Sequence, residues 1–386
     1  MAPYRVAFVS PFPPARSGIS EYGRQLIEAF GRVSDAEILV IADGGVSAAR
    51  EVALDGRYSV ARCVRFNDWS NPARILRILD AEKPDIVWFN LIYSAFGDRR
   101  AAAALGLLTP RLARRHGRVS VVTLHHLLEF VSLNATRFES SQRLTRWGAR
   151  LIERSLFRAD AVVLPLKKYA ARMRSRFPRA RIEALPIGCP YSGWPRAALE
   201  GNRLLVLGRY GSYKRLEPVL DVFQRVRARI PGATLTVAGV SHYADPNCYE
   251  RVAAEYGSLA GVTFTGYVPE CRLRDLLLAT DVMVLNHAST TGVSAAATLA
   301  ACAGVPVVAP ALDDLLAMEA EMGLPLERFA PGDAVDAARA VCTLLEDRAR
   351  LNERGAQLYA AAQRGGIDGV ARRYDALFRA LLANRR

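Results

Sequence analysis

The side chains of this 386-residue chain best placed to do chemistry are Arg209 and Lys214. They stand five residues apart in Gly208-Arg209-Tyr210-Gly211-Ser212-Tyr213-Lys214-Arg215, a Gly/Ser loop behind an apolar run at 204–207. A guanidinium forks onto two oxygens at once and an ammonium acts as a point charge, so the pair can converge on one diphosphate. Cations so placed stabilise the charge that grows on a departing nucleotide. A second anion-binding pattern lies at 281–310, DVMVLNHASTTGVSAAATLAACAGVPVVAP, which reads as strand, small-residue loop, helix, tight turn, strand. A helix opening in such a loop offers free backbone N–H groups and the positive end of its dipole. Thr291, Gly292, Val293 and Ser294, preceded by Asn286, His287, Ser289 and Thr290, therefore form a candidate lip for phosphate and sugar, with His287 as readily a packing residue as a ligand. His125, in Thr123-Leu124-His125-His126, sits just past a strand end, and Gly18 allows close backbone approach at the start of a helix.

Carboxylates near these loops are few. Glu21, Glu129 and Asp98 are the candidates for a base, and no Asp-x-Asp pair or Cys/His metal spacing occurs, so neither a metal nor any cofactor is expected. The six cysteines (Cys63, Cys189, Cys248, Cys271, Cys302, Cys342) are scattered and read as buried thiols of a reducing compartment. The first eighteen residues lack a basic leader followed by a long apolar run, so export is not expected.

The elements that must hold these residues alternate throughout. Apolar strand-like runs at 6–10, 38–41, 86–90, 119–124 and 161–164 are separated by helical stripes such as Tyr22, Leu26, Ile27 and Phe30. This alternation is that of a parallel sheet with helices on both faces. Prolines and glycines at 186–195 interrupt it. It then restarts with strands at 204–207, 234–238, 262–265, 282–285 and 305–308. Two doubly wound domains follow, 1–190 and 196–369, with a cleft expected at the carboxyl ends of their strands.

Lys and Arg number 52 against 38 Asp and Glu, a formal charge of +14. Arginines gather at 99–118 and 137–158, the second group interleaved with Leu144, Trp147, Leu151 and Leu156 at helical spacing. Such a helix suits an anionic membrane surface, or is simply the solvated face of an Arg-rich protein. No nucleic-acid recognition motif or aromatic stacking platform accompanies the charge. Residues 282–312 carry no charge and are long enough to span a bilayer. Their Ala, Ser, Thr and Gly content, with Gly304, Pro306 and Pro310 where turns are wanted, reads instead as a buried strand-helix-strand.

Several of these segments together resemble the GT-B glycosyltransferases of the retaining family 4. The resemblance runs through Pro13, Pro14, Ser17, Gly18 and Tyr22; through Thr123-x-His125; through Gly208-Arg209 and Lys214, with Arg215 in place of the usual Gly; and through Gly266-Tyr267-Val268. In register with Gly304, Pro306, Val307 and Val308, the two glutamates of the family's Glu-x7-Glu pattern fall on Thr291 and Leu299. The resemblance implies an α/β fold of two Rossmann-like domains, with a last helix, 370–386, crossing back to the first. It implies donor contacts from Gly18, His125, Gly208, Gly266, Tyr267, Val268 and 291–294, and diphosphate neutralisation by Arg209 and Lys214. The activity implied is metal-independent, retaining hexosyl transfer from a nucleotide diphosphate sugar to a glycan or lipid-linked acceptor. That acceptor would belong to cell-surface polysaccharide synthesis, and the protein would be cytoplasmic, either free or peripheral at the inner face of the membrane. Loss of both acids leaves a non-catalytic sugar-nucleotide binder as an alternative, and a nucleotide-sugar epimerase as another.

Overall fold

The computed structural model describes residues 3–44, 51–53, 56–127, 142–242, 245–289 and 292–385, side chains at 142–147 excepted. The chain divides into two compact units, one running to Ile187 and resuming at Ile367, the other comprising 188–366. The sequence reading put these boundaries at 190/196 and 369/370. The later one moves because the final helix begins as a single element at Ile367.

In the first unit the order is β1 (Arg5–Val9), α1 (Gly18–Val33), β2 (Glu37–Asp43), β3 (Glu51–Val52), β4 (Tyr58–Val64), α2 (Asn71–Glu82), β5 (Ile86–Leu91), α3 (Arg100–Leu107), α4 (Thr109–Arg115), β6 (Val119–Leu124), α5 (Gln142–Leu156), β7 (Ala161–Leu164), α6 (Lys167–Arg176) and β8 (Ile182–Ala184). They form one sheet in the order β3-β4-β2-β1-β5-β6-β7-β8, parallel except for the β3–β4 pair. Strands β5, β6 and β7 are buried at every position, which is why they read as unbroken apolar runs.

The second unit contains β9 (Arg203–Tyr210), α7 (Glu217–Arg229), β10 (Thr234–Ser241), α8 (Cys248–Tyr256), β11 (Val262–Gly266), α9 (Glu270–Leu278), β12 (Val282–Val284), α10 (Ala295–Ala303), β13 (Val307–Pro310), α11 (Asp313–Met322), β14 (Glu327–Phe329), α12 (Ala334–Glu346) and α13 (Arg348–Arg364). Its sheet is wholly parallel, β11-β10-β9-β12-β13-β14. The uncharged stretch at 282–312 is β12, α10 and β13, as its turn residues require. Gly304 takes φ +67° at the end of α10, a conformation that favours glycine. Buried Asp281 anchors the amino end of β9 by accepting from Gly201 N (3.0 Å), Arg203 N (2.9 Å) and Arg203 Nε (2.7 Å).

The chain ends in α14 (Ile367–Ala383), which returns to the first unit. Tyr374 and Phe378 pack on Trp88, with Phe30 beside Phe378, and the Trp88 indole donates to Thr123 Oγ1 (2.9 Å), itself bonded to the Tyr374 hydroxyl (2.8 Å). Five of the six cysteines are buried, but Cys271 is exposed because the first turns of α9 face outward.

Candidate functional site

In the second unit Arg209 is the penultimate residue of β9, and the chain then turns tightly: Gly211 N–H donates to Lys214 O (3.2 Å) and Lys214 N–H to Gly211 O (3.0 Å). This turn is clipped to the loop after β12. Ala288 N–H donates to Tyr213 O (2.9 Å), Asn286 Nδ2 donates to Arg215 O (2.8 Å), and Lys214 and His287 form a bridge. The Lys214 side chain crosses Gly208, where an added Cβ would lie 3.5 Å from Nζ. Beneath it β10 comes so close that a Cβ on Gly239, which has φ +136°, would stand 1.8 Å from Gly208 O. Two glycines thus form the floor under one lysine.

Neither Arg209 nor Lys214 has an ion-pair partner among the described residues. Burial pulls the Lys214 ammonium down from 10.5 to about 8. Burial also lowers Arg209, while the nearby Tyr213 and Tyr267 hydroxyls act in the opposite sense. Around them stand two neutral imidazoles. His242, past the end of β10, is pushed down to about 4 by burial and then by Arg209 and Lys214. His287 is held well below the usual histidine range by burial and then Lys214, and its Nδ1 is buried with no hydrogen-bond partner. Arg209, Lys214, His242 and His287 therefore gather at the carboxyl ends of β9, β10 and β12, where ligands bind in open parallel sheets. His242 was not singled out in the sequence. Its position directly after a strand was the available signal.

The loop from β12 enters α10 at Ser294, whose side chain does not cap the helix and whose Oγ is buried without a partner. By contrast α1, which opens at Gly18, is capped by its own Ser17, which accepts from Ser20 N (3.2 Å). The uncapped start of α10 is thus the better anion seat of the two. One expected donor is already engaged, however. Gly292 N–H, at φ +130°, donates to Asp314 Oδ2 (3.1 Å). Buried Asp314, in the first turn of α11, brings a carboxylate to this loop, which the sequence reading did not foresee. Val293 and Leu299 are half-buried; Thr290 and Thr291 lie outside the described residues. Gly266 ends β11 with φ +68°, its N–H donating to the Tyr249 hydroxyl (2.7 Å), and Tyr267 and Val268 follow it half-buried.

In the first unit His125 follows β6, its Nε2 lying 2.6 Å from Asn90 Oδ1. Asn90 Nδ2 donates to Ser10 Oγ (3.0 Å), so the amide oxygen faces the imidazole, Nε2 carries the proton and Nδ1 is the acceptor. Burial and then His126 push His125 down to about 3, and burial pushes His126 to about 4. His125 is thus a neutral hydrogen-bonding group at pH 7, with the Tyr22 ring edge-on at 5.0 Å. Thr123 is buried, its hydroxyl committed to Trp88 and Tyr374. Gly18 has open space where a Cβ would point, so the fold itself does not demand glycine there. Asp98 locks a turn with Asn67 (2.8 Å), and Glu21 lies 3.7 Å from Arg24. Glu129 lies outside the described residues. No cluster of three or more metal-ligating acid, histidine or cysteine side chains, and no helix long and apolar enough to cross a membrane, occurs among the described residues.

Two α/β units, the second with cations unpaired among the described residues at the carboxyl ends of its central strands and the last helix returned to the first, define a GT-B fold. The first unit matches the Glycosyltransferase Family 4 model over residues 16–191 and the second the Glycosyl transferases group 1 model over 201–347, and the chain belongs to these glycosyltransferases. Sucrose-phosphate synthase from Thermosynechococcus elongatus superposes with a TM-score of 0.77, covering 99% of this chain and 100% of that one at 18% identity. Anabaena HepE in complex with UDP-glucose gives 0.71, with 98% and 100% covered at 15% identity. Glycogen synthase of Mycobacterium tuberculosis is 28% identical across 48% of this chain, and the match spans half of that relative's length.

Proposed function

We propose that this protein transfers a hexosyl group from a nucleoside diphosphate sugar to a glycan acceptor, with retention at the anomeric carbon. The observation that carries the reading is the Arg209–Lys214 pair: two cations without carboxylate partners among the described residues, on a turn clipped to the loop that enters an uncapped helix. The bond from the anomeric carbon to the diphosphate breaks with its electron pair left on phosphate oxygen, where Arg209 and Lys214 take up the charge. The acceptor hydroxyl bonds to the same face of the sugar and its proton passes to the departing phosphate. Charge neutralisation by two side chains makes a divalent metal unnecessary to this scheme. Binding of UDP-glucose by the Anabaena protein supports a UDP-sugar as first choice of donor. The excess positive charge supports a lipid-linked acceptor of surface polysaccharide assembly, met at the inner face of a membrane.

The test is a thermal-shift panel of UDP, GDP, ADP and their glucose esters on the intact protein and on Arg209→Ala and Lys214→Ala, followed by NMR of the product anomer. A ligand shift that persists unchanged in both variants refutes the diphosphate assignment. Thr291 and Leu299 in place of acids favour a second reading, a non-catalytic binder. Nucleotide binding without release of nucleotide from any donor and acceptor pair would select it.

A further inference from the structure

Away from these loops, five arginines line one cavity of about 430 Å³ in the first unit: Arg111, Arg114 and Arg115 from α4, Arg158 ahead of β7, and Arg385 just past α14. Helix α4 leads into the amino end of β6, and Arg158 precedes the amino end of β7. The cavity therefore opens at the end of the sheet opposite His125, which follows the carboxyl end of β6.

Several arginines elsewhere on this unit are matched by acids, as in Arg5–Glu37 (2.8 Å), Arg62–Glu51 (2.7 Å) and, one short loop away, Arg118–Asp80 (2.6 Å). Behind two of the lining residues Asp160 pairs with Arg114 (3.0 Å) and Arg385 (3.4 Å), while its Oδ2 also accepts from Ser120 N (2.9 Å). Arg385 is fixed further by bonds to Gly117 O (2.7 Å) and Arg118 O (3.1 Å). That leaves Arg111, Arg115 and Arg158 with no ion pair or side-chain hydrogen bond among the described residues. Burial, and then the charges of Arg115 and Arg158, weaken the hold of Arg111 on its proton. Guanidiniums gathered at one depression without enough acids to match them repel one another. An anion with several oxygens gives each guanidinium a forked contact and removes the repulsion.

We propose that this cavity is a second anion site, for a phosphate monoester or diphosphate group carried by a soluble metabolite or a lipid headgroup. The volume accommodates more than one phosphate. The proposal stands independently of the Arg209–Lys214 reading, and its test is run in the full-length Arg209→Ala/Lys214→Ala background so that the second unit's cations do not contribute.

That protein is titrated with sodium pyrophosphate by calorimetry. In parallel it is sedimented with phosphatidylcholine vesicles, plain or containing one third phosphatidic acid. Binding is expected in at least one arm, with a loss of about tenfold or more on adding Arg111→Ser, Arg115→Ser and Arg158→Ser. Lys at the same three positions should restore part of it. Pyrophosphate binding alone assigns a soluble phosphate, and retention on phosphatidic acid vesicles alone a lipid headgroup. The proposal is overturned if neither probe binds, or if binding survives the three serines unchanged. These substitutions break no ion pair or side-chain hydrogen bond among the described residues, so the melting temperature in phosphate-free buffer should not fall. Arg115→Gln and Arg158→Gln, single changes at exposed positions, give the same reading with a smaller loss.

Discussion

The proton on Lys214 gives the sharpest access to the diphosphate reading. In the free protein burial sets it at about 8, whereas an anion against the ammonium restores it toward the ordinary 10.5. As pH rises through 8 the free protein releases this proton and the complex keeps it, so binding weakens above 8 and is unaffected below. With these two values, affinity for a nucleoside diphosphate falls about tenfold between pH 7 and pH 9, about 1.4 kcal/mol. The assay is calorimetric titration of the nucleotide that gives the largest thermal shift, at half-unit steps of pH. His242 and His287 are already neutral across this window and add no slope. Lys214→Arg keeps its charge at every pH and should bind with a flat profile. Lys214→Met should bind weakly and also flatly. The same profile for wild type and Lys214→Arg refutes the reasoning, because ionisation of the ligand alone would then account for it. A companion sign follows for the unliganded protein. The unfolded chain holds this proton up to 10.5 and the folded chain only up to about 8, so the fold gains stability as pH rises between those values.

Further outcomes rest on other parts of the frame. Gly239→Ala must push a methyl against Gly208 O at a backbone angle suited to glycine, and should cost about 3 kcal/mol or more, read as a lower urea midpoint together with lost nucleotide binding; an unchanged midpoint removes the shared-floor argument. Asp314→Ala should cost about 1–3 kcal/mol and weaken nucleotide binding by releasing Gly292, while Asp314→Asn, which keeps an acceptor, should retain most of both. His125, His126 and His242 are neutral when folded and protonate below 6.5 when unfolded, so stability is complete above 6.5 and falls as pH drops toward 4. The loss is about 1–2 kcal/mol per histidine at pH 5, tested by urea melts at pH 7 and 5 of wild type and His126→Gln, whose decline should be shallower.

The strands that carry the candidate site were legible because most of their positions are buried, and burial writes itself as an apolar run: each of the ten runs read from the sequence overlaps a strand, although the run at 305–308 begins two residues before β13 and β11 is only half-buried. What escaped lies at the margins. Tyr58-Ser59-Val60-Ala61-Arg62-Cys63-Val64 of β4 mixes polar residues into a strand beside the short edge strand β3, and β8 and β14 have only three residues each. Local pattern also names Arg209 and Lys214, since both belong to one short loop. It cannot name His242 or Asp314, because each acquires its meaning from a residue more than twenty positions away, Lys214 or Gly292. The arginine cavity is a stronger case of the same limit: Arg111, Arg114 and Arg115 are clustered in sequence, Arg158 joins them from the far end of α5, and Arg385 arrives only because α14 returns to the first unit.

The same distinction bears on the two missing glutamates. An acid at 291 or 299 would be read from local spacing, and its absence suggests a loop stripped of charge. Yet Asp314, one element further on, holds its carboxylate against Gly292, next to position 291. Its orientation differs in kind from that of a side chain on the loop itself: the carboxylate accepts a backbone N–H and so fixes the path of the chain into α10. Among the described residues that leaves Ser294 Oγ and His287 Nδ1 without a partner, beside a first helical turn that no side chain caps. With hydroxyl and amide donors on one side and two unpaired cations on the clipped turn, the second unit is built around positive potential and donors. Such a lining favours the charge that develops on a leaving diphosphate over any charge that develops on the sugar. If sugar transfer is confirmed, catalytic power should therefore reside mainly in leaving-group stabilisation. Removal of Arg209 should then lower kcat for a native diphosphate sugar, whose departing phosphate it holds, far more than for a fluoride or nitrophenyl sugar donor, whose leaving group carries no phosphate for it to hold. Equal losses on both donor types would place the role of Arg209 in binding alone.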